Sequence, residues 1–236
     1  MIGSVVFTVL LFATVLPWSI AVVLARIGGA AASYTVARHW VAMVVGLGRR
    51  LCGLTYRVEG AEHLPAAPSV ALLKHSSAYE TLVQLLILPR QSWVLKRELT
   101  WAPFFGWALA ALRPIAIDRG SGRQAVDQVV TQGQARLRDG IWVTVFPEGT
   151  RMPAGETRRY GVSGVLLAQA AGCLLVPVAH NAGDFWPRRG WRKRAGTVTF
   201  RIGPPVDPRG RDPREVNESI QAWVEAEVAK LRAPGA

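Results

Sequence analysis

The chain opens on a long apolar run and then changes register. Residues 1–25 contain no Asp, Glu, Lys or Arg, which is enough to cross a bilayer core of roughly 30 Å as one helix. Pro17 predicts a kink within it. Residues 33–51 carry Val36, Trp40, Val44 and Leu47 at helical spacing, so they form a candidate second arm of a helical hairpin. Beyond them, short apolar runs alternate with helical patterns, the signature of an α/β domain. Strands are predicted at 54–58, 69–73, 93–96, 114–117, 142–146, 174–178 and 197–202, and helices at 78–88, 104–112, 123–138, 162–171 and 214–231. The last helix is the best marked. Asp212 is its N-cap and Pro213 its first residue, Glu215 stands where a capping pattern closes, and Val216, Ile220, Trp223, Val224, Val228 and Leu231 share one stripe. The expected organisation is a membrane anchor or hairpin over 1–51 and one α/β domain over 52–236.

Composition narrows the partners. A net charge of +12 on 236 residues points to an anionic partner: nucleic acid, an anionic lipid surface or a phosphorylated substrate. Half the residues are apolar, which favours a membrane surface with a phospholipid substrate over nucleic acid. Cys52 and Cys173 are the two cysteines and have no metal-ligand spacing, so neither a disulfide framework nor a zinc site is expected. The small residues of 28–33 look cleavable, but the charged start of a signal peptide is missing, which leaves a retained anchor. Arg26, Arg38, Arg49, Arg50 and Arg57 follow the apolar run and place the domain on the cytoplasmic face of the inner membrane. Two clusters suit a lipid interface: Trp101, Phe104, Phe105 and Trp107, and the mixture of Trp186, Trp191 and cations over 188–194. A buried helix and an ordinary exposed loop are the alternatives for these two.

Two blocks carry the candidate chemistry. His75-Ser76-Ser77-Ala78-Tyr79-Glu80 follows an apolar strand and precedes an apolar helix. Inside a regular helix, residues five apart diverge by roughly 140°, so His75 meets Glu80 only if it lies in the turn before the helix. Glu80 would then hold one ring nitrogen and leave the other basic, as in the orienting half of a hydrolase triad. Ser77 to Glu80 also reads as a capping box, in which Glu80 serves the helix alone. In the second block, Phe146-Pro147-Glu148-Gly149-Thr150-Arg151 closes a strand with a Pro/Gly turn. That turn crowds a hydroxyl, a carboxylate and a guanidinium together, a set able to converge on phosphate.

In this order, on a basic chain with an apolar start, the blocks resemble the glycerophosphate acyltransferase family over residues 58–178, and within it the 1-acyl-glycerol-3-phosphate acyltransferases. The family pattern is His, four residues, then Asp; here Glu80 replaces the Asp and adds a methylene. The resemblance implies a single mixed sheet flanked by helices, His75 and Glu80 as the catalytic pair, and Arg151 on the acceptor phosphate. Gly149 and Thr150 would wall that loop, with Glu148 in a supporting contact. Ile117-Asp118-Arg119 is similar to a further block that assigns Arg119 to the same phosphate, with a solvated turn as the alternative. Lys96 resembles a lysine placed near the site, and Val176-Pro177-Val178 a block that shapes the acyl path. The implied reaction takes an acyl group from acyl-CoA or acyl carrier protein to the free hydroxyl of lysophosphatidic acid, with no metal and no other cofactor. Acylation of another lyso-lipid, or a basic membrane-anchored binding module without activity, are the competing readings. A lipid hydrolase is disfavoured because the sequence has no G-x-S-x-G elbow.

Overall fold

The computed structural model describes residues 1–233, apart from the side chain of Arg119. Seven strands, β1 (Leu54–Glu59), β2 (Val70–Leu73), β3 (Gln91–Lys96), β4 (Ile115–Ile117), β5 (Trp142–Val145), β6 (Leu175–His180) and β7 (Gly196–Ile202), form one sheet. Their spatial order is β1-β7-β6-β2-β5-β3-β4. All neighbours are parallel except β6 with β7, so the sheet is mixed. The helices are α1 (Ile2–Leu24), α2 (Ala30–Cys52), α3 (Tyr79–Ile87), α4 (Phe105–Ala111), α5 (Arg123–Arg138), α6 (Ser163–Ala171), α7 (Ala182–Phe185) and α8 (Pro213–Arg232). Among these only the four-residue α7 was not foreseen, being too short to show a period. Asp212 caps α8 by accepting the amides of Arg214 and Glu215 at 2.8 and 3.1 Å.

Alternation along β2 sets up the site. Central parallel strands are covered on both faces, and every residue of β2 is buried. Val70 and Leu72 join the core beneath α5, α6 and α8, whereas Ala71 and Leu73 face the opposite layer with Val176 and Val178. The ladder runs one residue further, because the Lys74 amide donates to the Val178 carbonyl at 3.1 Å. Lys74 therefore points toward α8 and His75 toward α3.

The two N-terminal helices pack alongside the sheet domain and share its core. Phe7 of α1 is buried with Val44, Leu54, Tyr79 and Val198, and its ring meets Trp186 edge-on at 5.4 Å. Further along α1, Val22 packs with Ala37 and Val41 of α2, Leu85 of α3 and Ala108 of α4. Burying each such side chain contributes about 2 kcal/mol. At the start of α1, the Lys193 amide donates to Ser4 Oγ at 2.9 Å and the Lys193 ammonium to Thr8 Oγ1 at 2.6 Å. The approach to α2 is close enough that a Cβ on Gly3 would lie 2.0 Å from the Leu51 carbonyl oxygen. The other side of α1 remains apolar and bare: Val5, Val9, Phe12, Leu16, Ile20 and Leu24 are exposed at intervals of one helical turn. Trp101, Phe104, Phe105 and Trp107, at or just before α4, are exposed as well.

Candidate active site

His75 leaves β2 at its carboxyl end, the edge where ligands collect in open α/β sheets. It sits in the turn before α3, as the pairing with Glu80 requires. Its Nδ1–H donates to Glu80 Oε1 at 2.8 Å. A carboxylate only accepts, so this contact fixes the tautomer and leaves Nε2 with a free lone pair. The extra methylene of Glu80 thus does not prevent the contact. The same Oε1 also accepts the amides of Ser76 and Ser77 at 3.2 and 3.0 Å. Orientation of the ring and closure of the helix start are therefore done by one oxygen. Glu80 is fully buried, and His75 rests on Phe146 with ring centroids 4.3 Å apart.

The second block is clamped onto the first from both sides of the His75 backbone. Glu148 Oε2 accepts the His75 amide at 2.7 Å, and the Met152 amide donates to the His75 carbonyl at 2.8 Å. Glu148 is buried, and its Oε1 takes the Lys74 ammonium at 2.7 Å. Burial outweighs the opposing pull of the Lys74 ammonium and the His75 amide and leaves its carboxyl raised to about 7. Its carboxylate is thus directed at the backbone of the His75 turn and at Lys74. Gly149 has φ 68°, a left-handed conformation that side chains resist, and its amide closes a turn onto the Phe146 carbonyl at 3.0 Å. Thr150 is half-buried and Arg151 exposed. Among the described residues, the backbone amides of both donate to no protein acceptor, and the Arg151 guanidinium has no carboxylate partner.

A cavity of about 390 Å³ opens from this point, a size that suits a small-molecule site. His75, Phe146 and Arg151 line one part of it. The remainder is mostly apolar, with Ser19, Thr81 and Gln84 among it, and comes chiefly from α1 (Val15, Trp18, Val22), α2 (Trp40, Val41), α3 (Leu82, Leu85), β3 (Val94, Leu95) and α4 (Ala108, Leu109). Residues 1–25, read as an anchor, thus also build the wall. Sequence reasoning missed this lining, since an apolar helix carries no sign of which face meets a cavity. Val176-Pro177-Val178 lies wholly inside β6 and does not line the cavity, a correction to the expected acyl-path role.

Lys96 stands apart from the cavity. It is 51% exposed and pairs with Glu98 at 3.0 Å; Val94 and Leu95 just before it line the cavity and Lys96 does not, because its side chain turns out toward solvent and Glu98. Asp118 and Arg119 follow the edge strand β4. There Asp118 accepts the Gly120 amide at 2.9 Å, and the side chain of Arg119 lies outside the described residues. No group of three His, Cys, Asp or Glu side chains among the described residues is arranged to hold a metal.

Beneath the His75 turn, buried His180 supports the Lys74 carbonyl, to which its Nε2–H donates at 2.7 Å, while Nδ1 accepts the Ala182 amide at 3.1 Å. Burial lowers its pKa below the ordinary 6.5. In the window between the lowered value and 6.5 the unfolded chain binds more protons, so stability falls as pH drops through it. His180→Asn is expected to flatten this decline, read as denaturation midpoints at about pH 5 and about pH 8. An unchanged pH dependence would show that His180 does not carry it.

What the cavity can hold is an apolar chain, and what His75 can do at its mouth is deprotonate a hydroxyl; together they define an enzyme that moves acyl groups. The chain belongs to the acyltransferase family, whose model matches residues 55–181. Over 98% of its length it is 41% identical to a 1-acyl-sn-glycerol-3-phosphate acyltransferase of Pseudomonas aeruginosa, 91% of which is covered. It is 32% identical to the human 1-acyl-sn-glycerol-3-phosphate acyltransferase alpha over 70% of this chain and 60% of that one. Its fold matches the crystal structure of a Thermotoga maritima 1-acyl-sn-glycerophosphate acyltransferase with TM-score 0.81 at 20% identity, over 100% of this chain and 97% of that one. The family makes the chain an enzyme and removes the reading of an inactive binding module.

Proposed function

We propose that the protein acylates the free hydroxyl of 1-acyl-glycerol-3-phosphate from an acyl thioester, giving phosphatidic acid. The observation that carries this reading is the placement of His75 and an unpaired Arg151 in the wall of one apolar cavity. His75 Nε2 takes the hydroxyl proton as the acceptor oxygen attacks the thioester carbon. The tetrahedral intermediate collapses with cleavage of the C–S bond, and the imidazolium returns the proton to the leaving thiolate. Glu80 stabilises the transient positive charge. Arg151 and the free amides of Thr150 and Arg151 are the donors for the acceptor phosphate. Acyl-CoA and acyl carrier protein are both suitable donors, and no other cofactor enters the reaction.

The names of the relatives and the free cation at the cavity support a phosphate-bearing acceptor over other lyso-lipids. The test is acyl transfer by the purified full chain, with both donors, to lysophosphatidic acid and to lyso-lipids that lack a phosphate monoester. Turnover confined to the latter would overturn the assignment. In the same assay Arg151→Lys, which loses the bidentate fork, is expected to raise the acceptor KM roughly tenfold with little change for the thioester. Equal effects on both substrates would mean the loop is only structural.

The proposed site of action is the cytoplasmic face of the inner membrane, supported by the arginines that follow the apolar run, with α1 lying in the plane of one leaflet. Within residues 2–28 an 18-residue stretch reaches mean hydropathy 2.3, and 22% of that stretch is buried. One face of α1 is packed along the domain from Phe7 to Val22, so a perpendicular crossing would drag the sheet into lipid, whereas an in-plane helix buries only its bare stripe. Trp101 and Trp107 extend that apolar surface.

A further inference from the structure

We propose that Lys74 is a positioning residue for the acceptor: acting with Glu148 and with Glu225 of α8, it pins the segment 147–160, and so Arg151, in register with His75. The proposal rests on the reading of Arg151 as the phosphate contact.

Lys74 is 1% exposed, and its ammonium has three N–H donors to satisfy. Three oxygens meet them: Glu148 Oε1 at 2.7 Å, Glu225 Oε1 at 2.8 Å and the Glu156 carbonyl at 2.9 Å. A buried charge persists only when paired and fully hydrogen-bonded, so these partners are obligatory. Glu225 Oε1 in turn accepts Thr157 Oγ1 at 2.9 Å and the Tyr160 hydroxyl at 2.8 Å. Nearby on α8, Gln221 accepts the Tyr160 amide at 3.1 Å.

The segment so held has no regular structure between β5 and α6, and from Glu156 to Arg159 it is exposed. Nothing in helix or sheet hydrogen bonding fixes it. Its near end is tied to His75 through Glu148 and Met152, and its far end to Lys74 and Glu225. Arg151 lies within the near tie, between Glu148, which Lys74 also holds, and Met152. Since Lys74 and His75 are consecutive residues pointing to opposite faces of the sheet, one strand end anchors both the base and the loop that presents the arginine.

Lys74→Met leaves a buried carboxylate uncompensated and is expected to lose thermal stability, so the decisive variant is Glu225→Ala, in a helix and only partly buried. With the full chain, lysophosphatidic acid in neutral vesicles and an acyl thioester, Glu225→Ala is expected to raise the acceptor KM roughly tenfold. The thioester KM and kcat should stay within about threefold. Glu225→Gln keeps an oxygen acceptor and is expected to recover most of the loss. A purely structural role would lower the melting temperature and kcat together and leave the acceptor KM alone; that result, in folded protein, overturns the proposal. Run beside Arg151→Lys, the outcomes separate. A normal acceptor KM in Glu225→Ala with a raised one in Arg151→Lys overturns the pin alone. The converse overturns the phosphate role of Arg151 and with it the register that the pin is proposed to set, and normal values in both overturn both.

Discussion

His75→Ala is expected to cut acyl transfer by about 10²–10⁴-fold, the usual share of general-base catalysis, in a protein that remains folded. The ring's Nδ1 is committed to Glu80 and only Nε2 is available as a base. Among the residues lining the cavity, His75 is the only one with such a nitrogen; the others are apolar, hydroxyl or amide side chains and the guanidinium of Arg151, which stays protonated. Folding should survive because the turn keeps its other ties: Glu80 still accepts the Ser76 and Ser77 amides, and the His75 backbone still bonds to Glu148 and Met152. Single-turnover kinetics beside a thermal melt check both halves. Near-normal turnover by folded His75→Ala protein would remove His75 from the mechanism.

Glu80→Gln is expected to lower turnover on the order of 10²-fold with little change in melting temperature. The amide oxygen of Gln can still accept from Nδ1, Ser76 and Ser77, so the cap and the tautomer are retained. What disappears is the negative charge that stabilises the imidazolium. Glu80→Ala removes the shared oxygen altogether and should lose both activity and stability. Because one oxygen performs both tasks, the contrast between Gln and Ala at this position separates charge from geometry. A Gln variant with lowered stability and preserved turnover would show that capping is the whole function of Glu80.

The strand and helix positions were legible from apolar periodicity because burial on a sheet face or a helix stripe repeats every two or roughly 3.6 residues. The pairing of His75 with Glu80 was legible too, since five residues spanning a strand end and a helix start leave few geometries. For Lys96 the sequence shows that a residue ends a strand but not which way its side chain turns. Leu95 beside it lines the cavity, while the Lys96 ammonium reaches Glu98.

Glu148 shows the same boundary from the other side. Its presence beside Gly149, Thr150 and Arg151 was plain, but nothing local says that a carboxylate in a phosphate-type turn faces inward to a buried lysine. Lys74 itself left a trace, as a charge closing an apolar run. Its partners left none: Glu148 lies 74 positions away and Glu225 151 positions away, on a helix where nothing in the sequence sets it apart from Glu215, Glu218 and Glu227.

The sequence by itself determined the elements, the order of the two chemical blocks and the apolar character of the first helix, all of which depend on neighbours within a few residues. The cavity wall, the inward turn of Glu148 and the pairing of Lys74 with α8 were decided only by the tertiary structure. The reason is physical. Which apolar face lines a void, and which carboxylate neutralises a buried ammonium, are set by surfaces that folding brings together across the chain, where packing and desolvation act on pairs that share no local pattern.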